Sequence, residues 1–472
     1  MGINKFHKCI KEYYNKAFRS EWLKFYDHVY IDINFALHYC SYGAKNEDDI
    51  YKRLFKFLDG IIQELVPLKT ITLGSDGSAP LSKLVLQRKR RMGISRNLKG
   101  DDSISSLMFT PGTLFMDKLK IKINEYIKNI EKTCYIKGIY LDENKDEAEL
   151  KLKKQVSDNL NNDIYINDSH IYVSNDADVI LMLTTLEDYS NVFIYSKSSY
   201  QSEIISIGKL IDLHTSKVGT SLNPGLDFTA INIMLGNDYL PKISFVDFDK
   251  LWNSYKKIIH YNPHGLIINK KKLEISHSFL ILLLSAVNSI TKPQFIKKLL
   301  IDNTYHPLYK NYLDGYTWCI DTYITGVCTR YNYMYNFQEA PHPLGIIYNL
   351  LKDHNLLELS NIKFNSVDPV LYGILILPKS SLNLIHNKYH KFIKHTSVLY
   401  NEECCTECKE YHEKIKILNI KKNEKIDNKT FDINKEIIKI TKIMNLHKKQ
   451  HDSITLTDIE DIIDKFNNYK FN

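Results

Sequence analysis

The stretch Ile171-Tyr-Val-Ser-Asn-Asp176-Ala-Asp178-Val-Ile-Leu-Met-Leu183 is an apolar run broken by two carboxylates. Ile171 to Val173 reads as a short buried strand and Val179 onward as the start of an apolar helix or strand, so both acids fall at an element end. Acids at such a junction either cap a helix or hold a metal. One Asp suffices for a cap, because a single side-chain oxygen satisfies the free amides of the first turn. Two, one residue apart beside an apolar wall, are better explained by a cation, provided that other acids converge on them.

Working outward, other apolar segments also end in acids. Val29 to Ile33 closes on Asp32-Ile-Asn34, followed by Phe35-Ala-Leu-His38. A helical stretch around Ile50 to Leu65 leads to a strand, Thr70 to Leu73, that ends at Gly74-Ser-Asp76-Gly77. Ile139 to Leu141 runs into Asp142, Glu147 and Glu149, and a fifth apolar segment, Phe228 to Leu235, into Gly236-Asn-Asp238-Tyr-Leu-Pro241. Taken singly, Asp76-Gly77 is an ordinary turn and Asp142 to Glu149 a solvated helix start. Strands alternating with helical stretches instead predict an α/β fold, a mostly parallel central sheet flanked by helices, with its site beyond the carboxyl ends of the strands. Seven carboxylates then converge: Asp32, Asp76, Glu147, Glu149, Asp176, Asp178 and Asp238. Such a cluster repels itself unless protons or cations enter. An all-oxygen donor set suits Mg²⁺ or Mn²⁺ rather than zinc. Two such ions about 3.5–4 Å apart can drive phosphodiester cleavage.

Between the second and third strands lies Ala79-Pro-Leu-Ser-Lys83-Leu-Val-Leu-Gln87-Arg88-Lys89-Arg90-Arg91. Pro80 suits a helix's first turn. On that helix Lys83, Gln87, Arg90 and Arg91 fall at i, i+4, i+7 and i+8. In isolation this is a solvated basic face; beside an acidic metal cluster it becomes a phosphate clamp, because Arg offers phosphate a planar fork.

Composition bounds the rest. The 472 residues, 44% apolar and 25% charged, are those of a folded protein long enough for more than one core. A net charge of +8 is compatible with nucleic acid without indicating it. No apolar run reaches the roughly 20 residues of a membrane helix, and Ser278 to Val287 reads as a buried helix. The N-terminus lacks a signal-peptide layout and a myristoylation site. Eight scattered cysteines predict reduced thiols and an intracellular protein.

These residues resemble the 5′→3′ exoribonuclease (XRN) family, a branch of the flap-endonuclease-like (PIN-like) nucleases. Met1-Gly-Ile-Asn-Lys-Phe6 is similar to the family's start, and Tyr30-Ile-Asp32-Ile-Asn34 with His38 to its first acidic motif. Asp76-Gly, Ala79-Pro80, Lys83, Gln87 and Arg90-Arg91 resemble its second acid and basic helix. Thr110-Pro-Gly-Thr-Leu-Phe-Met116, Glu147-Ala-Glu149-Leu-Lys151, Asp176-Ala-Asp178 and Gly236-Asn-Asp238-Tyr-Leu-Pro241 follow in the family's order. The likeness continues through Asp249 to Leu266, Tyr312 to Trp318, Tyr331 to Phe337 and Asp368 to Ser381, covering roughly Met1 to His390.

The resemblance implies a nuclease core over 1–250, a helical connection over 251–310, a second, mainly helical conserved region over 311–395, and a Lys/Asn-rich tail over 396–472. It further implies that the seven acids bind two Mg²⁺ or Mn²⁺ ions. Lys83, Gln87, Arg90 and Arg91 would take the 5′-monophosphate of an RNA, and His38 would stack on the terminal base. Glu147-Ala-Glu149 keeps both acids of a motif that is glycine-rich in the family. Arg330 or Asn332 stands where the family has a Trp against the 5′ base, leaving Tyr331, Tyr333 or a one-sided stack as alternatives. The expected protein is a cytoplasmic monomer; the abundance of Lys, Ile, Asn and Tyr suggests an A/T-rich genome, that of a large DNA virus or an A/T-rich eukaryote, with the host cytoplasm as the place in the viral case. Its rivals are a structure-specific DNA flap nuclease and a catalytically silent RNA 5′-end-binding protein. In the tail, Cys404, Cys405, Cys408 and His412 offer a zinc site or a plain cluster of thiols. Lys421 to Lys449, where acids interrupt the lysines, reads as a solvated helical surface.

Overall fold

In the strand Tyr26–Asp32 every side chain but one is buried, the pattern of a strand covered on both faces. It is an interior strand of a seven-stranded sheet in a computed structural model that describes residues 6–97, 105–142, 144–197, 202–288, 307–337, 339–360, 363–400, 406–423, 430–448 and 456–470. The strands are β1 (Phe18–Arg19), β2 (Tyr26–Asp32), β3 (Pro67–Gly74), β4 (Lys137–Leu141), β5 (His170–Val173), β6 (Val192–Lys197) and β7 (Ser202–Ser206). Their order is β1-β7-β6-β5-β2-β3-β4. From β6 to β4 all neighbours are parallel, and β7 and β1 add an antiparallel edge.

Helices cover both faces. Along the chain they are α1 (Phe6–Tyr13), α2 (Ile33–Ser41), α3 (Glu47–Leu65), α4 (Leu81–Asn97), α5 (Leu114–Cys134), α6 (Ala148–Leu160), α7 (Ala177–Thr184), α8 (Ile207–Val218), α9 (Pro224–Ile233), α10 (Phe248–Ile259) and α11 (His277–Val287). One core joins Leu37, Leu54, Phe115 and Ile123 from α2, α3 and α5 to Val29, Ile31 and Ile71. The other joins Leu152, Val156, Ile180 and Phe228 from α6, α7 and α9 to Tyr30 and Tyr172. It extends into Tyr316, Trp318 and Tyr323 of the helix Pro307–Thr325. A third cluster ties Leu81 and Leu84 of α4 to the helices Pro369–Ile376 and Leu456–Asn468.

The α/β class expected from the sequence is the one observed. One sequence expectation is corrected. Phe228 to Leu235, read as a fifth apolar segment of the sheet series, lies largely in α9, fully buried among other helices. An apolar run of that length has no periodicity to separate a buried strand from a buried helix. β1, β6 and β7, which complete the sheet, were not anticipated.

Register sets the height of the site. Ile31 pairs with both Leu73 and Val173, and Asp32 with Gly74, so β2, β3 and β5 end level. A side chain at Gly74 would meet the Leu152 Cγ at 2.8 Å, so its absence lets α6 lie directly on the end of β3.

Candidate active site

Three helices begin where these strands stop, and acids cap them. Asp32 Oδ1 accepts from the Asn34 and Phe35 amides at 2.8 and 3.2 Å at the start of α2. Asp176 Oδ1 accepts from the Asp178 amide at 3.0 Å at the start of α7. Asp76, in the loop after β3, reaches across to accept from Ala148 N of α6 at 2.9 Å. The capping reading of these acids is therefore correct. It does not exclude the other, because carboxylates at positive helix ends remain charged more readily than elsewhere.

All seven predicted acids lie at this end of the sheet. Burial pushes Asp32 up to about 8, with Asp76 and Asp176 adding to it. Burial likewise pushes Asp178 up to about 8, helped by Asp176 and Asp238. Glu149 is driven well above the carboxylate range by burial, then by Asp176, with Lys83 opposing. Glu147 is raised by burial against the pull of Lys83. Asp238 goes the other way: burial would raise it, but Lys83 and Arg90 bring it below its ordinary value.

Lys83 is the internal counter-charge. Its buried ammonium pairs with Glu147 and lies 3.4 Å from Asp238 Oδ2. Burial alone would discharge it, yet Glu147, Glu149 and Asp238 hold its pKa well above that of a free lysine. Arg90 grips Asp238 with both terminal nitrogens, at 3.0 and 3.3 Å. The other two residues of the basic face point elsewhere: Arg91 donates to Gln87 Oε1 and, at 2.8 Å, to Thr110 Oγ1. The predicted single face is thus divided between an acid-facing pair and a Gln87–Arg91–Thr110 group. His38 is exposed, with its ring edge-on to Phe109 at 5.5 Å. Tyr331 and Tyr333 are buried, the first hydrogen-bonded to Asp146 and the second packed on Trp318 at 4.8 Å. Neither ring is exposed.

Some contributors escaped sequence reasoning. Tyr239 donates to Glu147 Oε2 at 2.6 Å, and Asn34 Oδ1 accepts from the Asp76 amide at 3.0 Å. The Tyr172 hydroxyl is buried without a partner among the described residues, where Asp32, Glu149, Asp76 and Asp176 add to burial in keeping it protonated. Nothing in these residue types signals such roles; only the register of β5 and the turn after α9 bring them here.

A divalent cation fits this donor set. Asp178 Oδ1 is buried without a hydrogen-bond partner, a costly arrangement that a cation would relieve. Among the described residues no three acidic, His or Cys side chains form a ready cage. Mg²⁺ needs none, since it retains several waters and takes one or two direct carboxylates. Of the tail's four predicted zinc ligands, Cys404 and Cys405 lie outside the described residues, as does the motif Met1 to Lys5. Among the described residues no helix is long and apolar enough to cross a membrane.

The 5′-3′ exoribonuclease 1 of Schizosaccharomyces pombe is 23% identical over 338 residues, covering 58% of this chain and 25% of its own length. That of Saccharomyces cerevisiae is 24% identical, covering 59% and 22%. The chain therefore spans about a quarter of these relatives. Among solved structures, the catalytic core of Rad2 in complex with DNA substrate aligns at a TM-score of 0.38 and 13% identity, over 74% of this chain and 94% of that one. Residues 1–195 match the family described as XRN 5′-3′ exonuclease N-terminus. These matched residues carry six of the seven acids and the whole basic helix.

Proposed function

We propose that this chain is a metal-dependent 5′→3′ exoribonuclease that hydrolyses 5′-monophosphorylated RNA to mononucleotides. The observation that carries the reading is the meeting of seven carboxylates, one with a buried unpartnered oxygen, and a basic helix at one end of a parallel sheet. Two Mg²⁺ or Mn²⁺ ions held by Asp32, Asp76, Glu147, Glu149, Asp176, Asp178 and Asp238 would supply water activation and stabilisation of the leaving oxygen. Lys83, kept charged by its acidic neighbours, places a fixed cation where phosphodiester charge develops. Gln87 and Arg91 present donors to the terminal phosphate, with Arg90 beside them on Asp238, and His38 offers its open face to the first base. Cleavage of one nucleotide leaves a new 5′-phosphate for the same donors, so the reaction can repeat along the strand.

The test compares RNA ends. With Mg²⁺ the purified chain should degrade 5′-monophosphate RNA and spare the same RNA bearing a triphosphate or cap. Equal attack on all three ends, or preference for a DNA flap, would refute the reading. Asp178→Asn should lower hydrolysis by more than about a hundredfold, the scale reached by changes outside the direct ligands, while RNA binding persists.

A further inference from the structure

Helix α2 carries two exposed rings away from Asp32, with different surroundings. His38 meets Phe109, whereas Tyr39, 40% exposed, lies 5.2 Å from Phe57 of α3 and 6.5 Å from Phe35. Phe35 and Phe57 are themselves 6.2 Å apart, so the three rings form one step. A cation borders it, with Lys197 Nζ 5.6 Å from the Phe57 ring. Lys197 ends β6, and its backbone exchanges two hydrogen bonds with the Asn175 side chain, N to Oδ1 at 3.0 Å and Nδ2 to O at 2.8 Å. Asn175 adjoins Asp176, so this surface is continuous with the acidic cluster.

The sheet order gives it a side. β6 lies beyond β5, whereas the phosphate-facing residues of α4 follow β3, on the other flank of β2. A strand with its 5′ end at Gln87 and Arg91 and its scissile phosphate at the acids must continue toward β6. We propose that Tyr39, backed by Phe35 and Phe57, is a stacking surface for nucleobases on the 3′ side of the scissile bond. Every base has a π face, so such a step grips without regard to sequence. The inference rests on the ribonuclease reading above.

The experiment measures binding in Ca²⁺ of 5′-phosphorylated RNA: a dinucleotide, an oligomer of about eight nucleotides, and that oligomer with abasic sites beyond the second nucleotide. Tyr39→Ala should weaken the full oligomer roughly 5- to 100-fold and leave the dinucleotide and abasic oligomer unchanged. Tyr39→Trp should restore it. Unaltered binding of the full oligomer, or equal weakening of all three probes, would overturn the proposal. The ratio of 5′-phosphate to 5′-hydroxyl binding is read in parallel. If wild type shows no such preference, the 5′-end reading fails, whereas a base-dependent loss at Tyr39 stands or falls by itself.

Discussion

Asp176 and Asp178 are two positions apart, yet their surroundings give them different work. The first spends an oxygen on the amide that starts α7, and the second is left with a buried oxygen and no donor. A similar contrast separates two buried lysines. Lys83 is held charged by three acids, whereas Lys153 is buried with its ammonium directed to the Ile324 carbonyl at the end of the helix Pro307–Thr325. A helix C-terminus favours a cation, but only modestly. Burial outweighs it, aided by Lys270, and brings Lys153 down to about 7. The native amine therefore releases its proton near neutrality, while the unfolded chain keeps it until about 10.4. Between those values the unfolded state binds more protons, so this residue makes stability rise with pH, and its burden is greatest below about 7. From about pH 7 to pH 9 wild type should gain on the order of 2 kcal/mol relative to Lys153→Met, measured by urea denaturation of both. Parallel pH profiles would show that the amine is not buried as described.

At the scale of elements, α4 does two jobs with one basic face. Lys83 and Arg90 neutralise acids, and Arg91 is braced on Gln87 and Thr110. Arg91→Lys preserves charge but loses the planar fork and its tie to Thr110. It should cut the preference for 5′-phosphate over 5′-hydroxyl RNA roughly 10- to 100-fold, the worth of one charged hydrogen bond, with little change in turnover at saturation. An unchanged preference would place the phosphate elsewhere. That face was legible in the sequence because helical spacing is a local property, and so were the strands ending in Asp32, Asp76 and Asp176. The division of the face was not. It depends on where Asp238 arrives after α9, which an apolar run without periodicity concealed. Likewise Tyr331 and Tyr333 looked available for stacking, and only tertiary packing against Asp146 and Trp318 removes them.

At the scale of the whole molecule, the segment carrying Thr110 is where the α/β core meets residues far along the chain. Arg88 of α4 donates to the Leu375 carbonyl at 2.7 Å, and Thr113 bridges to Ile385. Gly112 sits between them with φ +80°, a backbone conformation strained for any residue with a side chain. A Cβ there would lie 2.4 Å from both the Pro369 carbonyl oxygen and Val370 Cα, which are backbone atoms that cannot rotate aside. The first turn of the helix Pro369–Ile376 is therefore seated directly on this loop. Gly112→Ala must either adopt a strained backbone or push that helix away. Both routes predict a loss of about 2–4 kcal/mol in stability, the range of strain and overpacking effects. Because Thr110, two residues earlier, braces Arg91, the variant should also lose discrimination for the 5′-phosphate. Thermal denaturation and end-group binding measured together provide the check. If stability falls while discrimination survives, the helix Pro369–Ile376 supports the fold without shaping the surroundings of Arg91; if both fall, the loop and that helix build one site with α4.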